Sequence, residues 1–310
     1  DTSIQEFPGY INNLGIKKSK FQSRASWVVT LFPYVEQVQL GEQYSSGQIP
    51  DAGPNPDATP QLEILICPSN PPTNPTDPLL SYVCNAGYRY SWKRVFNADP
   101  KLSWENSADG LFFDKTRTED LQESPPLGVS WDSVEDKRDN PARAPFASMS
   151  MAYIQSKGDG TSKTMMFSES LASLFWTYPA SDYNLTPDRN YHFGFTWVQP
   201  DDAANDIRTR VNGSKEVANY TNFAEMDNGP PSFPATPPTI SPTSENPLPR
   251  PGIASSFHPG GVNVAFAGSQ VSFVTDQIEP FVYAQLMTSN HKKSGLVGDA
   301  TSIEPADGEY

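Results

Sequence analysis

Ser256-Phe-His-Pro-Gly-Gly-Val-Asn-Val-Ala-Phe-Ala-Gly-Ser-Gln-Val-Ser-Phe-Val-Thr275 is the stretch on which the fold reading turns. Val262, Val264 and Phe266 alternate with small or polar residues, Gly268-Ser269 supplies a turn, and Val271, Phe273 and Thr275 alternate on the return. A period of two on both sides of a glycine-containing turn predicts a β-hairpin. Just before it, His258-Pro-Gly260-Gly261 makes a tight loop in which the imidazole can hydrogen-bond backbone groups and fix the strand's entry. In this setting His258 reads as a structural staple that needs no catalytic partner.

Working outward, residues 278–289 predict a short helix with Pro280 in its first turn, where the missing N–H costs little. Residues 295–310 form a polar tail. Upstream, residues 229–251 are too proline-dense for a helix or a central strand and predict an extended surface loop. Short strands separated by Asp, Asn, Gly and Pro turns are expected at 81–85, 110–113, 164–168 and 191–197. In the last of these, Tyr191, Phe193, Phe195 and Trp197 fall on one side by the two-residue period, with His192 opposite. The best helical pattern is 23–40, with Trp27, Leu31, Tyr34, Val35 and Val38 on one face and a break at Pro33 followed by a second short helix. Residues 61–67 read as a short buried strand or a helix end. These elements predict an α+β fold, a single loop-rich unit over residues 1–310 with no compositional boundary.

Composition narrows the function classes. The chain of 310 residues carries 31 Pro and 20 Gly and is 12% aromatic, which suits long connections around a core that aromatic residues can build. Its net charge of −14, with 22 scattered basic residues, disfavours nucleic acid and anionic membrane surfaces. Residues 1–10 are polar and turn-like without an apolar core and do not read as a signal peptide; for an exported chain the targeting segment would have been removed. Cys67 and Cys84 flank a proline-rich loop and predict a disulfide, worth about 3 kcal/mol on the loop-entropy model. A disulfide implies an oxidising compartment.

Catalytic groups are hard to assemble from the sequence. The histidines are His192, His258 and His291, none of them in a His-Glu-x-x-His motif, and there is no Gly-x-Ser-x-Gly elbow or phosphate-binding glycine loop. Glu169 and Asp114 are acids at strand ends whose separation the sequence does not give, so a paired-carboxylate glycosidase is disfavoured. No Cys-x-x-Cys pair or histidine cluster suggests a transition metal. Asp109-Gly110 and Asp159-Gly160 read as turn dipeptides, with a structural Ca²⁺ left as a further option. No cofactor and no catalytic residue are expected.

Several segments taken in order resemble one family. They are Ser26-Trp-Val-Val-Thr-Leu-Phe-Pro-Tyr-Val-Glu-Gln37, Leu65-Ile-Cys-Pro-Ser69, Asn85-Ala-Gly87, Asp159-Gly-Thr-Ser-Lys-Thr-Met-Met-Phe-Ser-Glu169 and the His258 loop. Together they resemble the planctomycete pilin-like proteins of undescribed function, which begin with a prepilin-type cleavage/methylation helix and end in a His-x9-Asp-Gly motif. The likeness runs from about Phe7 to Met287. Where that motif has Asp-Gly this chain has Gly268-Ser269, and the N-terminal helix is absent. The resemblance implies a pilin-like antiparallel sheet with short helices and large loop insertions, and structural roles for His258, Gly260, Gly261, Gly268, Asp159 and Gly160. It further implies export through type II secretion or pilus-like machinery and an extracellular or cell-surface location. The expected partner is a second copy of the chain, in an oligomer or filament. An older comparison of the family with solute-binding proteins keeps a binding module as the alternative, with Trp92, Trp104, Trp131, Trp176 or Trp197 as stacking platforms for a glycan.

Overall fold

The computed structural model describes residues 6–14, 24–46, 60–71, 78–88, 106–115, 147–173, 175–177, 192–198, 211–212, 252–294 and 296. The hairpin forms as its alternation predicts: β7 (Gly261–Phe266) pairs antiparallel with β8 (Val271–Thr275), with Val262 opposite Val274 and Asn263 opposite Phe273. The remaining strands, in chain order, are β1 (Ile11–Asn13), β2 (Arg24–Ser26), β3 (Tyr82–Tyr88), β4 (Asp114–Lys115), β5 (Met165–Glu169) and β6 (Gly194–Trp197). The main sheet has five strands in the order β6-β3-β5-β7-β8, and a smaller one has the order β2-β1-β4. The α+β expectation holds, but the main sheet is not wholly antiparallel, because β6 joins β3 in parallel.

Alternation along β5 and its neighbours divides the apolar residues between two faces. On one face Val83, Met165, Phe195, Trp197, Val262, Val264, Phe266 and Val274 form a cluster with Tyr283, Leu286 and Met287. Those three residues come from α4 (Pro280–Met287), whose Pro280 stands in the first turn and whose N-cap Glu279 accepts a hydrogen bond from the Phe281 N–H. On the other face Cys84 and Ala86, with Tyr82 and Phe167 beside them, pack against Tyr10, Trp27, Val28 and Phe32. Phe193 also belongs to this second cluster, whereas Phe195 and Trp197 belong to the first. The expected single aromatic side therefore splits, because the strand starts at Gly194 and Phe193 precedes it.

The N-terminal helical pattern breaks at Pro33 as predicted. α1 (Trp27–Leu31) runs into a 3₁₀ turn at Phe32–Tyr34, and α2 (Val38–Ser45) follows. The break and the positive φ of Glu36, 61°, reset the helical phase, so the expected single face does not persist. Trp27, Val28, Val29 and Phe32 are buried, while Tyr34 is 82% exposed and Val38 is 52% exposed. Residues 63–65 form a 3₁₀ turn rather than a strand. A further helix, α3 (Met151–Ser156), is capped by the Ser150 hydroxyl, which accepts from the Tyr153 N–H. Among the described residues no helix is long and apolar enough to cross a membrane. The loop at 229–251 and the tail beyond residue 294, apart from buried Leu296, lie outside the described residues.

Both glycines at the start of β7 are required by geometry. Gly260 has φ +82°, which side-chain-bearing residues rarely adopt, and a Cβ on Gly261 would lie 2.2 Å from the Val274 carbonyl oxygen. Since that oxygen belongs to the paired strand, the contact cannot be relieved by a rotamer change. Gly261→Ala is expected to cost about 2–3 kcal/mol, read as a lower urea midpoint at unchanged m-value.

A Cys-Glu-His cluster as the candidate functional site

Three residues far apart in sequence meet at one end of the main sheet, on the face that carries the N-terminal helices. Glu169 is the last residue of β5, opposite Tyr82 of β3. Cys67 comes from the turn after the 3₁₀ segment, where its carbonyl accepts from the Asn70 N–H. His258 comes from the loop that leads into β7. That loop is held by Ser256, whose hydroxyl accepts from the His258 N–H and donates to the Gly261 carbonyl.

The donor atoms converge closely. The Cys67 thiol donates to Glu169 Oε1 at 3.1 Å, and His258 Nε2 lies 3.0 Å from the same oxygen and 3.6 Å from Cys67 Sγ. The second carboxylate oxygen, Oε2, accepts from the Asn263 backbone N–H at 2.8 Å, with Asn263 Nδ2 at 3.4 Å. One ligand atom from each of Cys67, Glu169 and His258 lies within 4.8 Å of the others, so these residues are placed to hold a metal ion. Cys67 and Glu169 are buried, and the His258 side chain is 27% exposed. Burial raises the Cys67 thiol above its ordinary pKa, and the hydrogen bond to Glu169 adds to the effect. A thiol held protonated in this way is a poor nucleophile.

Beside the cluster lies an apolar cleft of about 260 Å³ lined by Trp27, Phe32, Leu65, Tyr82 and Phe167 among others. Tyr82 joins the two features. Its phenol is pushed up by burial first and then by the neighbouring Cys67 and Glu169.

The geometry corrects several sequence expectations. Cys67 and Cys84 are free, buried thiols rather than a disulfide. They have different partners, since the Cys84 thiol points to the Phe193 carbonyl in the core while Cys67 points to Glu169. Among the described residues the His258 ring contacts side chains rather than backbone groups, and Ser256 makes the hydrogen bonds that hold the loop. Trp176 and Trp197 are buried and cannot serve as open stacking platforms, and Trp92, Trp104 and Trp131 lie outside the described residues. Asp114 lies on β4 of the smaller sheet, so it is not a strand neighbour of Glu169. Gly268 lies in the hairpin turn, where its N–H donates to the Thr161 carbonyl.

Asp159 serves the C-terminal segment. Its Oδ1 lies 2.7 Å from His291 Nδ1, and its Oδ2 accepts from the His291 N–H at 2.7 Å. Gly160, with φ +93°, turns the chain directly after it. His291 is buried and its Nε2 has no partner among the described residues. With both carboxylate oxygens engaged by His291, the Asp159-Gly160 turn is a clamp between two chain segments.

A family described as a protein of unknown function, DUF1559, matches residues 2–280. This chain belongs to that family. No curated protein and no solved structure matches it. Within this DUF1559 chain, three of the segments noted in the sequence each contribute one member of the cluster: Cys67 from 65–69, Glu169 from 159–169 and His258 from the loop before β7. The members are separated by 102, 89 and 191 positions, which leaves no spacing motif to find.

Two measurements check this arrangement. Thiol titration of the unfolded, unreduced protein should find both Cys67 and Cys84 reactive, with slow labelling of each in the native state. Asp159→Ala should destabilise the fold by about 3 kcal/mol, measured by urea denaturation, because it leaves His291 buried without its partner.

Proposed function

We propose that this DUF1559 chain is an exported, non-catalytic, pilin-like subunit of the cell surface or extracellular space that associates with copies of itself. The observation that carries this reading is strand β8. It ends the main sheet, pairing only with β7 among the described residues, and its sequence Val271-Ser-Phe-Val-Thr275 holds no charge and no proline. Val271 is 67% exposed and Phe273 43% exposed, on the face that the N-terminal helices leave open. An uncharged, apolar edge strand is the template that monomeric proteins avoid presenting. The opposite edge is less available, because Thr196 of β6 donates from its backbone N–H to the Gly252 carbonyl. Pairing therefore runs from β8 to β8 of a second copy across a two-fold axis, and a fibre or surface layer is built from such pairs through a second contact. The raised pKa of Cys67 supports the non-catalytic reading of this cluster.

A second reading, a solute-binding module, is favoured by one feature, the apolar cleft beside Trp27. Its lining suits a small apolar ligand better than a glycan. Quenching or enhancement of Trp27 fluorescence by apolar probes, lost in Trp27→Phe, is the sign that reading requires.

The self-association reading predicts concentration-dependent dimers in analytical ultracentrifugation and ordered assemblies by electron microscopy. Replacing Val271 and Phe273 together with lysine should leave the far-UV circular dichroism unchanged and abolish both, since edge lysines block strand pairing. A wild-type protein that stays monomeric at high concentration sinks the proposal.

A further inference from the structure

We propose that Cys67, Glu169 and His258 bind a divalent cation of the zinc class, which ties together three chain segments that no disulfide joins. The inference does not depend on how the protein associates. It rests on the donor geometry and on the chemistry of the donor set.

A tetrahedral zinc ion with Zn–S of about 2.3 Å and Zn–N and Zn–O of about 2.0 Å sets its ligand atoms about 3.3–3.6 Å apart. The separations here are 3.6 Å between Cys67 Sγ and His258 Nε2, 3.1 Å between Sγ and Glu169 Oε1, and 3.0 Å between Nε2 and Oε1. Only the two edges that involve the carboxylate have to open, by a few tenths of an ångström. The sulfur and the imidazole nitrogen both crowd onto the same oxygen, Oε1, while Oε2 is engaged by Asn263. A cation inserted among the three would replace two competing contacts on one atom with three bonds to one centre. Asn263 would then act from behind, fixing the carboxylate's orientation as outer-shell partners do.

The donor types choose the ion. One thiolate and one carboxylate together neutralise a dication, so the buried site holds no net charge from its ligands once the thiol has lost its proton to the solvent. Sulfur and imidazole donors favour zinc and its neighbours in the first transition row over magnesium or calcium, which require several oxygen ligands. Three protein donors leave one tetrahedral position, and the partly exposed His258 places that position toward solvent, for a water or a donor group from another molecule. The stabilising role follows from topology. Cys67 lies on the turn before β3, Glu169 at the end of β5 and His258 at the entry of β7, so a single ion adds coordinate bonds between elements that otherwise meet through hydrogen bonds and packing.

The test uses the whole chain, stripped of metal with a chelator and titrated with Co²⁺ and with Zn²⁺. The expected result is one cation per chain. Co²⁺ should give a thiolate-to-cobalt charge-transfer band in the near ultraviolet, and Zn²⁺ a rise in Tm that Mg²⁺ and Ca²⁺ do not reproduce. Cys67→Ser should remove the band, and His258→Ala, at a partly exposed position that leaves the core intact, should weaken zinc binding by about 100-fold or more. Cys84→Ala should keep both signals. The proposal is overturned if the wild-type protein shows neither band nor Tm shift at stoichiometric metal. It is equally overturned if folded Cys67→Ser or His258→Ala protein, verified by circular dichroism, binds as the wild type does.

Discussion

Met165 and Phe167 stand on opposite faces of β5, and each is packed in a different apolar cluster. A strand buried on both faces must find partners for its backbone within the protein, and β5 finds them by pairing with β3 and β7 and, at its ends, in the Asn85 side chain and the Ser255 N–H, which donate to the Met165 and Glu169 carbonyls. Most of the remaining structure follows from this double burial. α4 closes one face, the helices around Trp27 close the other, and the hairpin β7–β8 extends the sheet beyond the reach of those helices. The Asn85 side chain reinforces the centre by donating to the carbonyls of both Met165 and Met287, joining β3, β5 and α4 through one amide.

The same constraint fixes the position of Glu169. A carboxylate at the end of a strand buried on both sides is removed from water and has to find donors within the protein. Asn263 supplies a backbone N–H from the neighbouring strand, and Cys67 and His258 approach from loops on the open side. This explains why Cys67 is unavailable for a disulfide: its sulfur is part of the polar environment that makes a buried acid tolerable. Cys84 faces Phe193 within the core, where its thiol behaves as a small apolar group.

The helical layer covers the sheet unevenly. Trp27, Val28 and Phe32 pack over the part formed by β3 and β5, whereas Asn263, Ala265, Val271 and Phe273 on β7 and β8 remain partly or well exposed. The Cys-Glu-His cluster lies at the boundary between the covered and uncovered parts, next to the apolar cleft. An interaction surface and a side-chain cluster are thus set side by side by one packing asymmetry.

Local periodicity made much of this legible. The hairpin around Gly268-Ser269, the break at Pro33, the helix that starts at Pro280 and the α+β class all depend on patterns within a dozen or so residues, and each occurs where the pattern places it. Sequence reasoning also noticed every member of the cluster separately: Cys67 as half of a disulfide, Glu169 as an acid at a strand end, His258 as a staple. It did not join them, since nothing in the spacing of residues 67, 169 and 258 records that they meet. Their meeting is set by strand register, with Tyr82 opposite Glu169 and Ser168 opposite Val264, and by loops that deliver Cys67 and His258 to that end of the sheet. The sequence alone determined the hairpin, the break at Pro33 and the helix at Pro280, because those preferences act between near neighbours along the chain; it did not determine the short strands β1, β2 and β4 or the helix α3, and the strand expected at 110–113 does not form. Tertiary structure decided the partner of each buried polar group, the parallel entry of β6 and the state of both thiols, because these depend on contacts between segments whose separation the chain does not encode locally.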